Sequence, residues 1–532
     1  MGEKNLFEKS FKDIKKTKTP KKVIFIFCNE FDQPLSFPIG VGILSSVLKN
    51  EGHITKGIYV IVNEDNKIDL KDISEQVKEF NPDLIAYSCS SPLFESIKVI
   101  AKHLRENFSI PSICGGVHAT LYPKEVLSEE GIDYICVGEG ENALKKFVEE
   151  MNLEEELDVP GIWRLNKFGK LIKNKIFPLQ NLDNVPTIDY EIFGKPFIDN
   201  LVEKNNGWQR YIISRGCPYS CSYCYNKMIR KTYAEEIGCS ISELGYLRSK
   251  SLDLVIEEIL EMVKKYDITV INFMDDLFCL NKKNALEFCK KFKEKVPKEV
   301  GYSIQTHLSF MDEEIIQELK DSRCLRVVVG IESANERILE IFNRKTSLNM
   351  MNEKISLLVK AKFPSGIWTL NILGNPTEVQ EEALDTLAFN ARHLVDVCKF
   401  QFMAPYQDSE IYRFCKERGL LEKNYGTQKI SDRFSINVKH NPREKAFLEK
   451  FFDIGHWYMN IFAPLDLEGY YLPLIKEVEK IGIGEWEEKK EEYLKRDRVL
   501  EELLSNLKKT HYSFMFKGKI AGKAIGLKKF ND

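Results

Sequence analysis

The sequence predicts an α/β protein: a doubly wound parallel sheet, then a partial (β/α)6 barrel, then a helical C-terminal domain. Three observations predict it. Short apolar runs alternate with helical periodicity over residues 21–150, and again over 206–420 in six units, whereas 421–532 is charged and helical in pattern. A chain of 532 residues also exceeds what one core serves and points to about three domains.

Residues 1–20 read as a basic, solvated tail without the apolar stretch of a secretory signal. Val23 to Phe27, Leu84 to Ser88, Ser112 to Cys114 and Asp133 to Val137 are buried-strand runs, with helices at Gly40 to Lys49 and Leu93 to Asn107. Ligands of such sheets bind at the carboxyl ends of the strands, which here carry Ser88, Ser90 and Ser91, then Gly115, Gly116 and His118, then Gly138 and Glu139. Residues 151–205 read as a linker punctuated by Pro160, Gly161, Pro178 and Pro186. The second series has strand candidates at 211–216, 268–275, 301–307, 325–333, 367–374 and 398–405. Helical patterns such as Leu252 to Tyr266 and Glu313 to Asp321 lie between them, and a long insertion runs from Tyr225 to Lys250. In the last region, Glu485 to Lys509 has near-heptad apolar spacing that reads as a packing face.

Composition narrows the function classes. Apolar content of 43% and charged content of 30% fit a soluble globular protein, and a net charge of −3 gives no electrostatic case for nucleic acid. No apolar run approaches the roughly 18 residues of a transmembrane helix. Thirteen scattered cysteines read as free thiols of a reducing, cytoplasmic compartment.

Three of those cysteines, Cys217, Cys221 and Cys224, follow the strand candidate at 211–216 with the spacing C-x3-C-x2-C. Chance predicts such a triple about 0.008 times in a chain of this cysteine content. Thiolates hold iron, and a cubane 4Fe–4S cluster with three of them keeps one iron open for a substrate. No fourth Cys or His stands at a nearby zinc spacing.

The cysteine run, with Tyr223 before its third cysteine, resembles the radical S-adenosylmethionine (radical SAM) superfamily. That resemblance implies that the open iron chelates the methionyl group of SAM and that reductive cleavage gives a 5′-deoxyadenosyl radical. Further runs stand in the family's order. Met274-Asp275-Asp276-Leu277-Phe278 is similar to a D-D-x-F of the cobalamin-dependent members, with Asp275 favoured over Asp276 for the methionyl amine. Gly330-Ile331-Glu332-Ser333 resembles G-x-E-S, and Gly374 to Glu378 resembles G-x-P-G-E with Thr377 in place of a glycine. The family's Arg-x-Asp after the third strand is absent, and Thr306-His307-Leu308-Ser309 stands there.

Residues 21–150 resemble the Rossmann-like cobalamin-binding domain that precedes the barrel in this family, through Phe37 to Leu44, Gly115 to Thr120 and Gly138 to Glu141. No Asp-x-His-x-x-Gly occurs, so the resemblance implies cobalt without a protein imidazole, and His118 reads more readily as a loop-ordering residue. The whole pattern implies a class B radical SAM methyltransferase using a 4Fe–4S cluster, SAM and cobalamin. It would methylate an unactivated carbon of a small-molecule, lipid, tetrapyrrole or peptide substrate, with a flavodoxin- or ferredoxin-type electron donor. A cobalamin-dependent radical cyclase or rearrangement enzyme fits the same cofactor residues. A non-catalytic corrinoid or redox module is the reading from another class.

Overall fold

The computed structural model describes residues 19–29, 36–62, 68–151, 158–423, 425, 435–516 and 523–530. Most of the basic tail expected at 1–20 lies outside them.

The first sheet contains β1 (Lys22–Asn29), β2 (Ile54–Ile61), β3 (Leu84–Ser88), β4 (Ser112–Gly115), β5 (Tyr134–Cys136), β6 (Ile162–Leu165) and β7 (Leu171–Ile172). Their order is β2-β1-β3-β4-β5-β6-β7, with the first five parallel. Val23 to Ile26 are buried on both faces of β1, as a strand between two helical layers must be. The direction of winding reverses between β1 and β3, which opens a ligand crevice at the carboxyl ends. The segment expected to be a linker extends this sheet, because β6 pairs antiparallel with β5 and β7 with β6. Its short Pro- and Gly-broken runs gave no alternation long enough to show that pairing.

The second sheet is an open barrel. Its strands β8 (Trp208–Tyr211), β11 (Val270–Phe273), β12 (Gly301–Thr306), β13 (Cys324–Glu332), β14 (Ile367–Leu373) and β15 (Val397–Phe402) are parallel in chain order. The expected first strand is shorter, and a separate ribbon of β9 (Ser214–Arg215) and β10 (Arg248–Ser249) follows it. The C-terminal region is helical over Pro442–Phe462, Glu468–Val478 and Trp486–Asn506. It ends in a hairpin of β16 (His511–Phe516) and β17 (Lys523–Lys528), and β17 adds antiparallel to β15. One apolar core runs from the first sheet through the barrel to the C-terminal helices, while a second covers the other face of the first sheet. No helix among the described residues is long and apolar enough to cross a membrane.

Candidate functional site

The carboxyl ends of the two sheets face each other across a cavity of about 460 Å³. Ser88, Gly115, Gly116, Gly138 and Glu139 line it from the first sheet, and Ser214, Arg215, Gly216, Met274 and Asp276 from the barrel. The insertion contributes the helix Tyr225–Ile237, whose Tyr225, Ile229 and Tyr233 form an apolar wall opposite Ile39, Ile43 and Leu44. An apolar chamber with convergent polar groups at a domain interface is what a large flat cofactor requires. At Gly116, φ is +104° and an added Cβ would stand 2.4 Å from the Cys89 carbonyl oxygen, so the close crossing of β3 and β4 needs glycine there.

The two domains are clamped at the rim of this cavity. Arg248 makes a forked pair with Glu139 at 2.5 and 3.0 Å, and Arg215 reaches Glu139 at 2.9 Å and Glu141 at 2.5 Å. Burial opposes ionisation of Glu139, but Arg248 and Arg215 outweigh it and hold the carboxyl below its usual range. Glu139 therefore lines the cavity with both its oxygens already engaged.

Arg215 leads directly into the cysteine loop. At Gly216, φ is +101° and an added Cβ would meet the Tyr246 carbonyl oxygen at 2.4 Å. The loop is held by Arg230, which donates to the carbonyls of Cys217 at 3.1 Å and Pro218 at 2.9 Å and to Ser220 Oγ at 2.8 Å. Ser222 ties it to the segment after β13, through its N–H to the Phe342 carbonyl and its Oγ to the Ile341 carbonyl at 2.7 Å. Burial pushes Cys217 up to about 11 and Cys224 up to about 12, and raises Cys221 against the pull of Arg344. Among the described residues, His456, Asp497 and Glu501 bring three ligand atoms within 4.8 Å, and the three sulfurs do not. Thiolates on one tetrahedral zinc stand about 3.8 Å apart, given Zn–S bonds near 2.3 Å, whereas a cubane puts each thiolate on a different iron and spaces them wider. The donor set fits the cubane.

Tyr223 and Glu332 meet through an arginine that the motifs did not indicate. Arg344 donates to Tyr223 Oη at 3.0 Å and lies 3.5 Å from Glu332. Burial raises Glu332, and Arg344 and Tyr223 oppose the rise. Arg230 and Arg344 carried no spacing signal, because each acts from the far side of a turn on backbone or side chains it does not neighbour in sequence.

Several expected contacts are placed elsewhere. Asp275 is fully buried and accepts from the N–H groups of Ile213 at 3.2 Å and Ser214 at 2.6 Å, and from the Ser214 hydroxyl. Burial raises it to about 7 against these bonds. Its neighbour Asp276 lines the cavity instead, its carboxyl raised by burial and opposed by a bond from Asn226. Asp276 lies past the end of β11, in a turn, so strand periodicity carried no signal for it. Ser333 is buried beside Thr386, and Glu378 turns back to accept from Asn375 N at 3.0 Å and Nδ2 at 2.8 Å. Gly374, at φ +67°, packs towards Leu448 of the C-terminal helices. In the first domain, Ser90, Ser91 and His118 do not line the cavity. His118 Nδ1 pairs with Ser91 Oγ at 3.0 Å, and its ring lies between Phe94 and Tyr122.

Two family models match the chain: one described as the Radical SAM superfamily over residues 211–389, the other as the B12 binding domain over 33–148. Residues 211–389 are therefore a radical SAM domain and residues 33–148 a B12-binding domain. It is a radical SAM enzyme, and its cofactors are a 4Fe–4S cluster, SAM and cobalamin. An uncharacterized methyltransferase of Pyrococcus horikoshii is 27% identical over 72% of this chain and 79% of its own length. The anaerobic magnesium-protoporphyrin IX monomethyl ester cyclase of Rubrivivax gelatinosus is 23% identical over 71% of this chain and 66% of its own. The solved structure of the cobalamin-dependent SAM radical enzyme OxsB, with aqua-cobalamin and SAM bound, shares the fold at a TM-score of 0.62 and 15% identity, over 92% of this chain and 75% of that one.

Proposed function

We propose that this enzyme moves a methyl group from SAM to an unactivated carbon of a small-molecule substrate, tetrapyrroles included. The observation that carries the reading is the shared cavity: the carboxyl ends of the B12-binding sheet and of the radical SAM barrel open onto one space. When bound, the three cofactors supply one-electron chemistry and a transferable methyl group. The chain supplies position and exclusion of water. Cys217, Cys221 and Cys224 hold the cluster, with Arg230 fixing the loop that carries them. Asp276, Glu332, Tyr223 and Arg344 border SAM, and the carboxylate of Asp276 offers its amine a charged acceptor. Ser88, Gly115, Gly116 and Gly138 leave room for the corrinoid beside the apolar wall of Tyr225, Ile229 and Tyr233. The ten cysteines outside the cluster loop form no disulfide, which supports a reducing compartment.

Similarity to the Rubrivivax gelatinosus cyclase supports a second reading, radical ring closure without methylation. One experiment separates the two. With reductant, cobalamin, methyl-labelled SAM and substrate, methyl transfer gives deoxyadenosine and S-adenosylhomocysteine in about equal amounts, with label on a product carbon. Deoxyadenosine matching product, without S-adenosylhomocysteine or label transfer, selects the cyclase. Neither compound from reduced, SAM-bound enzyme rejects both.

A further inference from the structure

We propose that the barrel lumen carries an oxyanion subsite, formed by Arg210, Arg326 and Lys399, that grips a carboxylate or phosphate group of the substrate at the end remote from the reacting carbon. The inference rests on the reading above in one respect, that the substrate enters the barrel.

The subsite is built by strand register. Arg210 on β8 pairs with Asn272 on β11, Asn272 with Ser303 on β12, and Ser303 with Arg326 on β13. One row across four strands thus points to one face, and Trp208, Trp368 and Lys399 share that face through the same alternation. The Arg326 guanidinium lies between two indoles, 4.3 Å from the Trp208 ring centre and 4.4 Å from that of Trp368, and Lys399 Nζ is 4.7 Å from the Trp368 ring. Arg326 donates to Ser303 Oγ at 2.9 Å and Asn272 Oδ1 at 3.2 Å, both neutral acceptors.

No described carboxylate pairs with any of the three cations. The groups whose charge acts on them are one another, the Cys324 thiol and the Tyr59 phenol. Burial, and then the charges of Arg326 and Arg210, bring Lys399 down to about 8. Burial brings Arg326 down to about 10. Half-buried cations gathered without a counter-charge are costly, and an entering anion relieves that cost. The indoles fix the planar fork of Arg326 and exclude water from one side of it, which strengthens a charge-assisted bond. All five side chains are only partly buried, so each keeps a solvent-accessible face.

Position sets the substrate's shape. Arg326 stands six residues before Glu332 on β13, a strand length of about 20 Å. The cysteine loop is at the Glu332 end. The substrate is therefore elongated, with its anion and its reacting carbon at opposite ends.

Calorimetry on the anaerobically prepared holoenzyme tests this with three probes: 4-phenylbutyrate, 4-phenylbutyl phosphate and the neutral 4-phenylbutanamide. One or both anions bind more tightly than the amide. Lys399→Gln and Arg210→Gln each weaken the anion about ten-fold while leaving the amide unchanged, and Lys399→Arg restores binding. Binding of the carboxylate alone or of the phosphate alone identifies the group recognised. Equal affinity for amide and anions, anion affinity unchanged in both Gln variants, or no anion binding overturns the proposal. Because no turnover is read, that failure is distinct from failure of methyl transfer, which is read from the SAM products.

Discussion

Asp275 accepts from Ile213 N, Ser214 N and the Ser214 hydroxyl, donors that lie within four residues of Cys217. Its carboxylate therefore positions the strand end from which the cysteine loop springs. Asp275→Asn places an amide N–H against donors and costs about 1–3 kcal/mol locally. The expected result is a lower iron content per chain, measured by iron analysis after anaerobic reconstitution, with SAM affinity falling only in proportion to lost cluster. Full iron content with SAM affinity lost would make Asp275 a direct contact after all. His118 gives a pH dependence of known sign. Burial lowers it from 6.5 to about 4, so the unfolded chain binds the extra proton between those values. Its contribution to stability is present above about 6.5 and is lost as pH falls towards 4. Thermal melts from pH 7 to 4.5 should show a shallower decline for His118→Asn than for the parent. Parallel curves would mean that the ring does not stay neutral in the fold.

At the scale of elements, the cysteine loop depends on one turn and one helix. Gly216 adopts a φ that side chains avoid and sits against the Tyr246 carbonyl, while the helix Tyr225–Ile237 sends Arg230 back over the loop. Gly216→Ala adds about 1–3 kcal/mol of backbone strain besides a contact that Tyr246 must yield to. Absorbance near 400 nm from iron–thiolate charge transfer should drop at least several-fold in this variant, and a spectrum like that of the parent would show the turn to be adaptable. Both aspartates lie past the end of β11, where Asp275 turns to the Ile213 and Ser214 N–H groups and Asp276 to the cavity, a distinction that motif resemblance did not carry.

For the whole molecule, the clamp of Glu139, Glu141, Arg215 and Arg248 joins the two sheets at the rim of their shared cavity. Breaking a partly buried pair from one side leaves its partner uncompensated, a loss of up to about 3 kcal/mol. Arg248→Met should weaken cobalamin retention on gel filtration about ten-fold or more and speed hydrogen exchange in β9 and β10, with the cluster retained. Unchanged retention and exchange would mean that the apolar wall alone holds the domains together.

By itself the sequence determined the order of the parts. Local periodicity set the parallel strands of both sheets except β2, since burying a strand between helices demands an apolar run, whereas β2 is an edge strand with exposed and half-buried positions at Ile54, Thr55 and Lys56 that carried no such run. The cysteine run was legible for a related reason: its three thiols lie within eight residues, so their spacing shows in the sequence although the rest of the fold holds the loop. Tertiary structure decided what depends on pairing between distant strands. The residues at 162–165 and 171–172 became part of the first sheet, and 511–516 with 523–528 became the edge of the second, through hydrogen bonds to partners that their own short patterns did not name. Arg344 reached Tyr223 from the loop after the helix Glu336–Ile341, and Arg210, Asn272, Ser303 and Arg326 fell into one row through register across four strands. Register is set by the summed packing of both faces, and a shift of one residue reverses every side chain. The chamber between the sheets is likewise a product of docking, which no stretch of either domain encodes alone.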